Sequence, residues 1–115
     1  MKGGPPGRPQ GRHIMTDQTL AELERIRKDI ESLDHDIVAL VARRLDLCRA
    51  VAPLKMSAGL EAHIPHRVQL VIDRWMSHAV ERGINPELMR SICGQIIAEG
   101  ETLQIEKMQQ AESSS

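Results

Sequence analysis

The chain has 115 residues and a formal net charge of -1, with 41% hydrophobic and 27% charged residues, and Trp75 is its only Phe, Tyr or Trp. That length fits one domain, and the near-neutral balance without a basic block argues against nucleic acid or an anionic membrane as partner. A core limited to Leu, Ile, Val, Met and Ala points to an all-α fold of helices packed on helices, since sheets draw more on aromatic residues and Thr.

The start, MKGGPPGRPQGRHIM, is rich in Gly, Pro and Arg. It has no apolar central region, so it does not read as a secretory signal. Residues 1–15 are expected to be a disordered extension, with Met15 a candidate start. Residues 16–111 are expected to form the helical domain and 112–115 a frayed tail. No apolar run reaches the length that spans a bilayer.

The first helix is predicted from about Thr19 to Met56. Leu20, Leu23, Ile26, Ile30, Leu33, Ile37, Leu40, Leu47, Val51 and Leu54 recur at spacings of three and four, broken by one gap of seven that holds Arg44. Thr16, Asp17 or Thr19 can cap its start. Pro53 removes one backbone donor and is expected to bend the last turn. Gly59 marks a loop.

The second helix is predicted to open at Pro65, a residue favoured in a first turn. Val68, Val71, Ile72, Trp75, Met76, Ala79 and Val80 share one side, and Gly83 suits the C-terminal cap. Trp75 reads as core. The third helix opens on Asn-Pro-Glu, with Asn85 as cap, Pro86 in the first position and Glu87 against the helix dipole. Gly100 falls on its apolar side, which implies close approach by a helix or a ligand, because an interior glycine costs about 1 kcal/mol against Ala.

At about 1.5 Å per residue the first helix would run roughly 55 Å, more than two shorter helices cover in a compact monomer. A homodimer is the expected solution, and it also supplements the limited core of a small chain.

Cys48 and Cys93 sit within helical patterns without metal-ligand spacing, so they read as small core residues in a reducing, cytoplasmic setting. His63 and His66 straddle Pro65 in a loop with no third ligand nearby, so no metal site is expected. Glu99 and Glu101 read as solvated, one of them near a site edge.

The informative feature is cationic. An Arg on an apolar helix face is costly unless it meets an anion. Arg44 and Lys55 are 11 residues apart, about three turns, and so point the same way. Arg27 lies beside the same stripe, 17 residues before Arg44. It cannot share a small ligand with Arg44 within one helix, but it can across an antiparallel partner. Arg67 opens the second helix, and Gln104 follows Gly100 by four on the apolar side, where a buried amide needs a partner. The ordinary alternative is ion pairing, for instance of Arg27 with Asp34, or cations whose stems cover apolar surface. Taken together, four cations and an amide describe a pocket for a small dianion.

In order along the chain, RKDIESLD, LVARRLDL, APLK, HRVQLV and IIAEGETLQ resemble the all-helical chorismate mutase family over about Leu20 to Gln109. The resemblance implies an intertwined homodimer of three-helix chains. It implies that Arg44, Lys55, Arg67, Val68, Gly100 and Gln104 line the substrate site, and that Arg27 enters from the other chain. Lys55 and Gln104 would meet the ether oxygen of chorismate, while Arg27 and Arg44 would grip its carboxylates. The implied reaction is the Claisen rearrangement of chorismate to prephenate. It is pericyclic and needs no cofactor, metal or nucleophile; conformational restraint and cations near the breaking C–O bond suffice.

Three positions depart from the family pattern. Val68 stands where an acidic residue usually contacts the ring hydroxyl, Ile64 where Asp is common, and Gly100 where a polar residue is usual. Two related activities therefore remain as alternatives. One is pyruvate elimination from isochorismate, whose lyases share the fold and a similar loop but typically carry aromatic residues before the Gln. The other is rearrangement of 4-amino-4-deoxychorismate. A helical dimerisation or regulatory module is the non-enzymatic alternative, and it would have no need of the assembled cations.

Overall fold

A computed structural model describes residues 16–114. The disorder expected for residues 1–15 lies outside the described residues. Three helices account for most of the described chain: α1 (Asp17–Ser57), α2 (Pro65–Glu81) and α3 (Pro86–Ser114). There is no strand among the described residues, as an aliphatic, aromatic-poor composition implied.

The helix boundaries follow from local chemistry. Thr16 caps α1, its hydroxyl oxygen accepting the Thr19 amide at 3.0 Å. Asn85 caps α3, its side-chain oxygen accepting the Glu87 amide at 3.0 Å, with Pro86 in the first turn. The cap of α2, Ile64, offers no side-chain bond, and Pro65 stands first in the helix. Proline lacks the donor that would otherwise be orphaned there, so the cost of a missing cap is reduced.

The ends of α1 and α2 are built alike. After α1, the Leu60 amide reaches the Lys55 carbonyl at 2.8 Å and the Gly59 amide reaches Met56 at 3.1 Å. After α2, the Ile84 amide reaches Ala79 at 2.9 Å and the Gly83 amide reaches Val80 at 3.2 Å. Each pair is a Schellman motif, which requires a left-handed residue. Gly59 (φ 69°) and Gly83 (φ 71°) supply it. The helix continues past Pro53 to Ser57, and α3 runs to Ser114, beyond the boundary at 111 read from the sequence.

The described chain divides between Ala39 and Leu40 into two units, and α1 contributes to both. The first unit is the leading stretch of α1. Its large apolar side chains Leu20, Ile26, Ile30, Leu33, Ile37 and Val38 are exposed, Val38 by 69%. Arg25 pairs with Glu22 and with Asp29 along the helix surface. Such exposed pairs contribute little to stability.

The second unit holds the end of α1 with α2 and α3. Its buried residues are small: Ala52, Ala62, Ala79 and Cys93, joined by Gly100 and Gln104. Small residues at the centre let backbones approach closely. A Cβ placed on Gly100 would lie 2.8 Å from the Cys48 Sγ and 3.4 Å from its Cβ. The close approach expected at Gly100 is therefore made by α1.

Candidate functional site

The second unit contains a cavity of about 380 Å³, within the size range of small-molecule pockets. Its floor is aliphatic: Leu47 and Val51 of α1, Ile64 before α2, Val68 and Val71 of α2, and Ile97 of α3. Its polar lining is Arg44, Lys55, Arg67, Glu101 and Gln104. The structure thus brings together six of the residues singled out from the sequence: Arg44, Lys55, Arg67, Val68, Gly100 and Gln104. Arg27 belongs to the first unit, is exposed, and is not among the lining residues.

Helical spacing explains the convergence. Arg44, Leu47, Cys48, Val51 and Lys55 follow at intervals of three and four, so they form one stripe along α1. Ile97, Gly100, Glu101 and Gln104 do the same on α3. Arg67, Val68 and Val71 form the contribution of the first turns of α2.

The centre of the site is a bonded chain. Lys55 Nζ donates to the Ala62 carbonyl oxygen at 2.8 Å and to Gln104 Oε1 at 2.9 Å. Gln104 Nε2 donates to the Cys48 carbonyl oxygen at 3.0 Å. An ammonium only donates and a carbonyl only accepts, so the orientation of the Gln104 amide is fixed by its two neighbours. Gln104 is buried, 6% exposed, and both its polar atoms are satisfied as burial demands. Lys55 has three N–H donors and two are engaged. Gln104 has two and one is engaged. Among the described residues, one donor of each has no protein partner.

Arg44 is half-buried. Its guanidinium lies 5.9 Å from the Trp75 ring centroid, within cation–π range, and its Nη1 contacts the Cys48 Sγ at 3.9 Å. Trp75 was expected in the core, but it is only half-buried and carries the Arg44 charge on its ring. The thiol of Cys93 is pushed up in pKa by burial, an effect that the positive charge of Arg44 partly opposes.

One pair escaped the sequence reading. His63 Nδ1 lies 2.8 Å from Glu101 Oε2, joining the loop before α2 to α3 at the cavity. The sequence reads Glu99 and Glu101 as solvated with one of them near the site edge; Glu101 is the one that lines the cavity, with its side chain 23% exposed. The available signal was its position three residues before Gln104, on the same helical face. Among the described residues no cluster of His, Cys, Asp and Glu forms a metal site, and no helix is long and apolar enough to cross a membrane.

The sequence matches the family described as chorismate mutase type II over residues 26–105. The chain belongs to that family. The matched span includes every lining residue of the cavity, and Arg27 as well. Similar proteins include the 4-amino-4-deoxychorismate mutase of Streptomyces venezuelae, 34% identical over 74% of this chain and 81% of the relative. The chorismate mutase of Methanocaldococcus jannaschii is 26% identical over 82% of this chain and 95% of the relative. The T-protein of Enterobacter agglomerans is 28% identical over 76% of this chain, but the match spans only 24% of that longer protein. In this chorismate mutase type II protein, Arg44, Lys55 and Arg67 line the cavity together with aliphatic side chains.

Proposed function

We propose that the chain is a chorismate mutase, an isomerase that converts chorismate to prephenate by Claisen rearrangement in this cavity. The observation that carries the reading is the Lys55–Gln104 arrangement. Half-buried Lys55 and buried Gln104 are bonded to each other, and in this reading the remaining donor of each meets the same acceptor atom of the substrate.

The chemistry asks little of the protein beyond placement. As the C–O bond breaks, negative charge grows on the ether oxygen. Preorganised donors stabilise that charge without reorganising at the moment of reaction. Lys55 supplies a full charge and Gln104 a neutral donor. Arg44 and Arg67 suit the carboxylates, because a guanidinium binds bidentately where an ammonium acts as a point charge. The aliphatic floor holds the ring and favours the compact, reactive shape, converting rotational freedom into prepaid order. No proton needs to move, so no general base enters the scheme.

The working unit in this reading is a homodimer in which Arg27 of each chain completes the other chain's site. Its support is the uncovered apolar row of the first unit, from Leu20 to Val38. A surface of that kind marks an interaction site.

Val68 supports a second substrate. An apolar residue there leaves the ring position without the acid usual in the family, and the similar Streptomyces venezuelae protein is named for the 4-amino compound. Separate incubation with chorismate, 4-amino-4-deoxychorismate and isochorismate, followed by chromatography, tests the reading. Prephenate from chorismate is the expected result. Turnover of the amino compound alone would select the second substrate, and pyruvate with salicylate from isochorismate would replace the mutase by a lyase.

A further inference from the structure

The lining of the cavity contains three cations and one anion, Glu101. An anion facing a dianionic substrate is repulsive, and its place in the lining therefore asks for a reason. We propose that Glu101 reads the ring substituent of the substrate, taking over the contact that Val68 cannot make, with His63 as its positioning residue. The inference rests on the mutase reading and names a specificity determinant within it.

Matching donors to acceptors leads to this assignment. The carboxylates and ether oxygen of chorismate only accept, and Arg44, Lys55, Arg67 and Gln104 supply donors for them. The substrate has one group that donates, its ring hydroxyl. Among the ionisable lining side chains, only Glu101 accepts without donating. Val68, on α2, offers nothing polar. His63 engages Glu101 Oε2 at 2.8 Å, and no protein hydrogen bond is made by Oε1 among the described residues. One oxygen is therefore held and the other is free for the ligand. The backbone of the same loop is fixed one residue earlier, where the Ala62 carbonyl accepts from Lys55 at 2.8 Å. The loop thus couples the residue that orients Glu101 to the residue that meets the ether oxygen.

A carboxylate at this place serves a hydroxyl and serves an ammonium better, since a charge-assisted bond is about twice as strong as a neutral one. Glu101 would thereby favour the 4-amino compound over chorismate, in proportion to the charge on the amine.

The test compares kcat/KM for chorismate and for 4-amino-4-deoxychorismate in the wild type, E101Q, E101A, H63A and the double variant E101A/V68E. Circular dichroism and thermal melting accompany each protein. E101A is expected to lose roughly 10- to 100-fold on the better substrate, the scale of one hydrogen bond to a charged acceptor. E101Q should lose more on the amino compound than on chorismate. H63A should shift the ratio between substrates in the direction of E101A, mainly through KM. E101A/V68E should recover part of the loss by restoring an acid on α2. If E101A turns over both substrates within about twofold of the wild type, or faster, Glu101 is a bystander and the proposal fails while the mutase reading stands. If the wild type turns over neither substrate, the mutase reading fails and the proposal goes with it.

Discussion

Lys55 and Gln104, 49 residues apart, share a 2.9 Å hydrogen bond in which the ammonium donates to the amide oxygen. The bond sets which end of Gln104 faces the Cys48 carbonyl at 3.0 Å. Gln104→Ala removes a donor from that carbonyl and a partner from Lys55. Stability should fall by about 1–3 kcal/mol, the cost of leaving buried groups unpaired, as read by urea unfolding. Gln104→Glu instead points an acceptor at an acceptor unless the new carboxyl is protonated. Its activity should be low at neutral pH and rise as the pH is lowered, opposite to a simple acid-denaturation profile.

Arg44 rests on Trp75 at 5.9 Å from ring centroid to guanidinium. An exposed or half-exposed cation–π contact contributes about 0.5–2 kcal/mol. Trp75→Leu keeps an apolar side chain but loses the ring face. It should raise KM for chorismate several-fold through a less ordered Arg44, while the helical circular dichroism is retained. An unchanged KM would show that the ring does not position the guanidinium.

Gly100 is governed by Cys48. Alanine is favoured over glycine in a helix by about 1 kcal/mol, but the added methyl would meet the Cys48 Sγ at 2.8 Å. Overpacking typically costs about 1–3 kcal/mol, so Gly100→Ala should be net destabilising. In a Cys48→Ala background the nearest remaining contact is the residue 48 Cβ at 3.4 Å, and the same substitution should become neutral or stabilising. Thermal melting of the four proteins in this cycle reads the reversal directly.

Cys93 is buried, 1% exposed, and its thiol is raised in pKa above the ordinary value of 9.0, by burial. A raised value means that the folded state favours the neutral thiol. Its contribution to stability is complete below the unfolded pKa and is lost as pH climbs from there through the folded one. Denaturation midpoints should therefore fall on the alkaline side of pH 9, and less so in Cys93→Ala. Thiol reagents at neutral pH should label Cys48, which is half-buried at the cavity, well before Cys93. Bound prephenate should slow the labelling of Cys48.

The uncovered apolar row of the first unit leads to an oligomeric prediction. Sedimentation should give a dimer, and Leu33→Glu should weaken it, since Leu33 is 60% exposed in the isolated chain. Arg27→Ala should abolish activity without changing the sedimentation coefficient. A fully active monomer would remove the shared site.

Much of the fold was legible because its signals are local. Thr16, Asn85 and Pro86 mark helix starts by the donors they supply or lack, and Gly59 and Gly83 mark ends by the left-handed geometry they alone adopt cheaply. The stripe on α1 was legible through its interruption, since a cation on an apolar face asks for an anion. Gly100 was legible as a close approach, although not which residue approached. The His63–Glu101 pair and the Arg44–Trp75 stack were not. Both join residues distant in sequence, and both side chains have an ordinary reading: a solvated acid and a core indole. Periodicity assigns a residue to a face; it does not say which side chain on another helix stands opposite.

The most direct measurement is prephenate formation from chorismate by the wild-type protein beside Lys55→Ala, with circular dichroism on both. A steady wild-type rate is expected, reduced by about 10²–10³-fold in the variant, the scale of removing one preorganised donor from a growing oxyanion, with helical content preserved. No prephenate from the wild type, or an equal rate from the variant, would contradict a mutase that works through the Lys55–Gln104 pair.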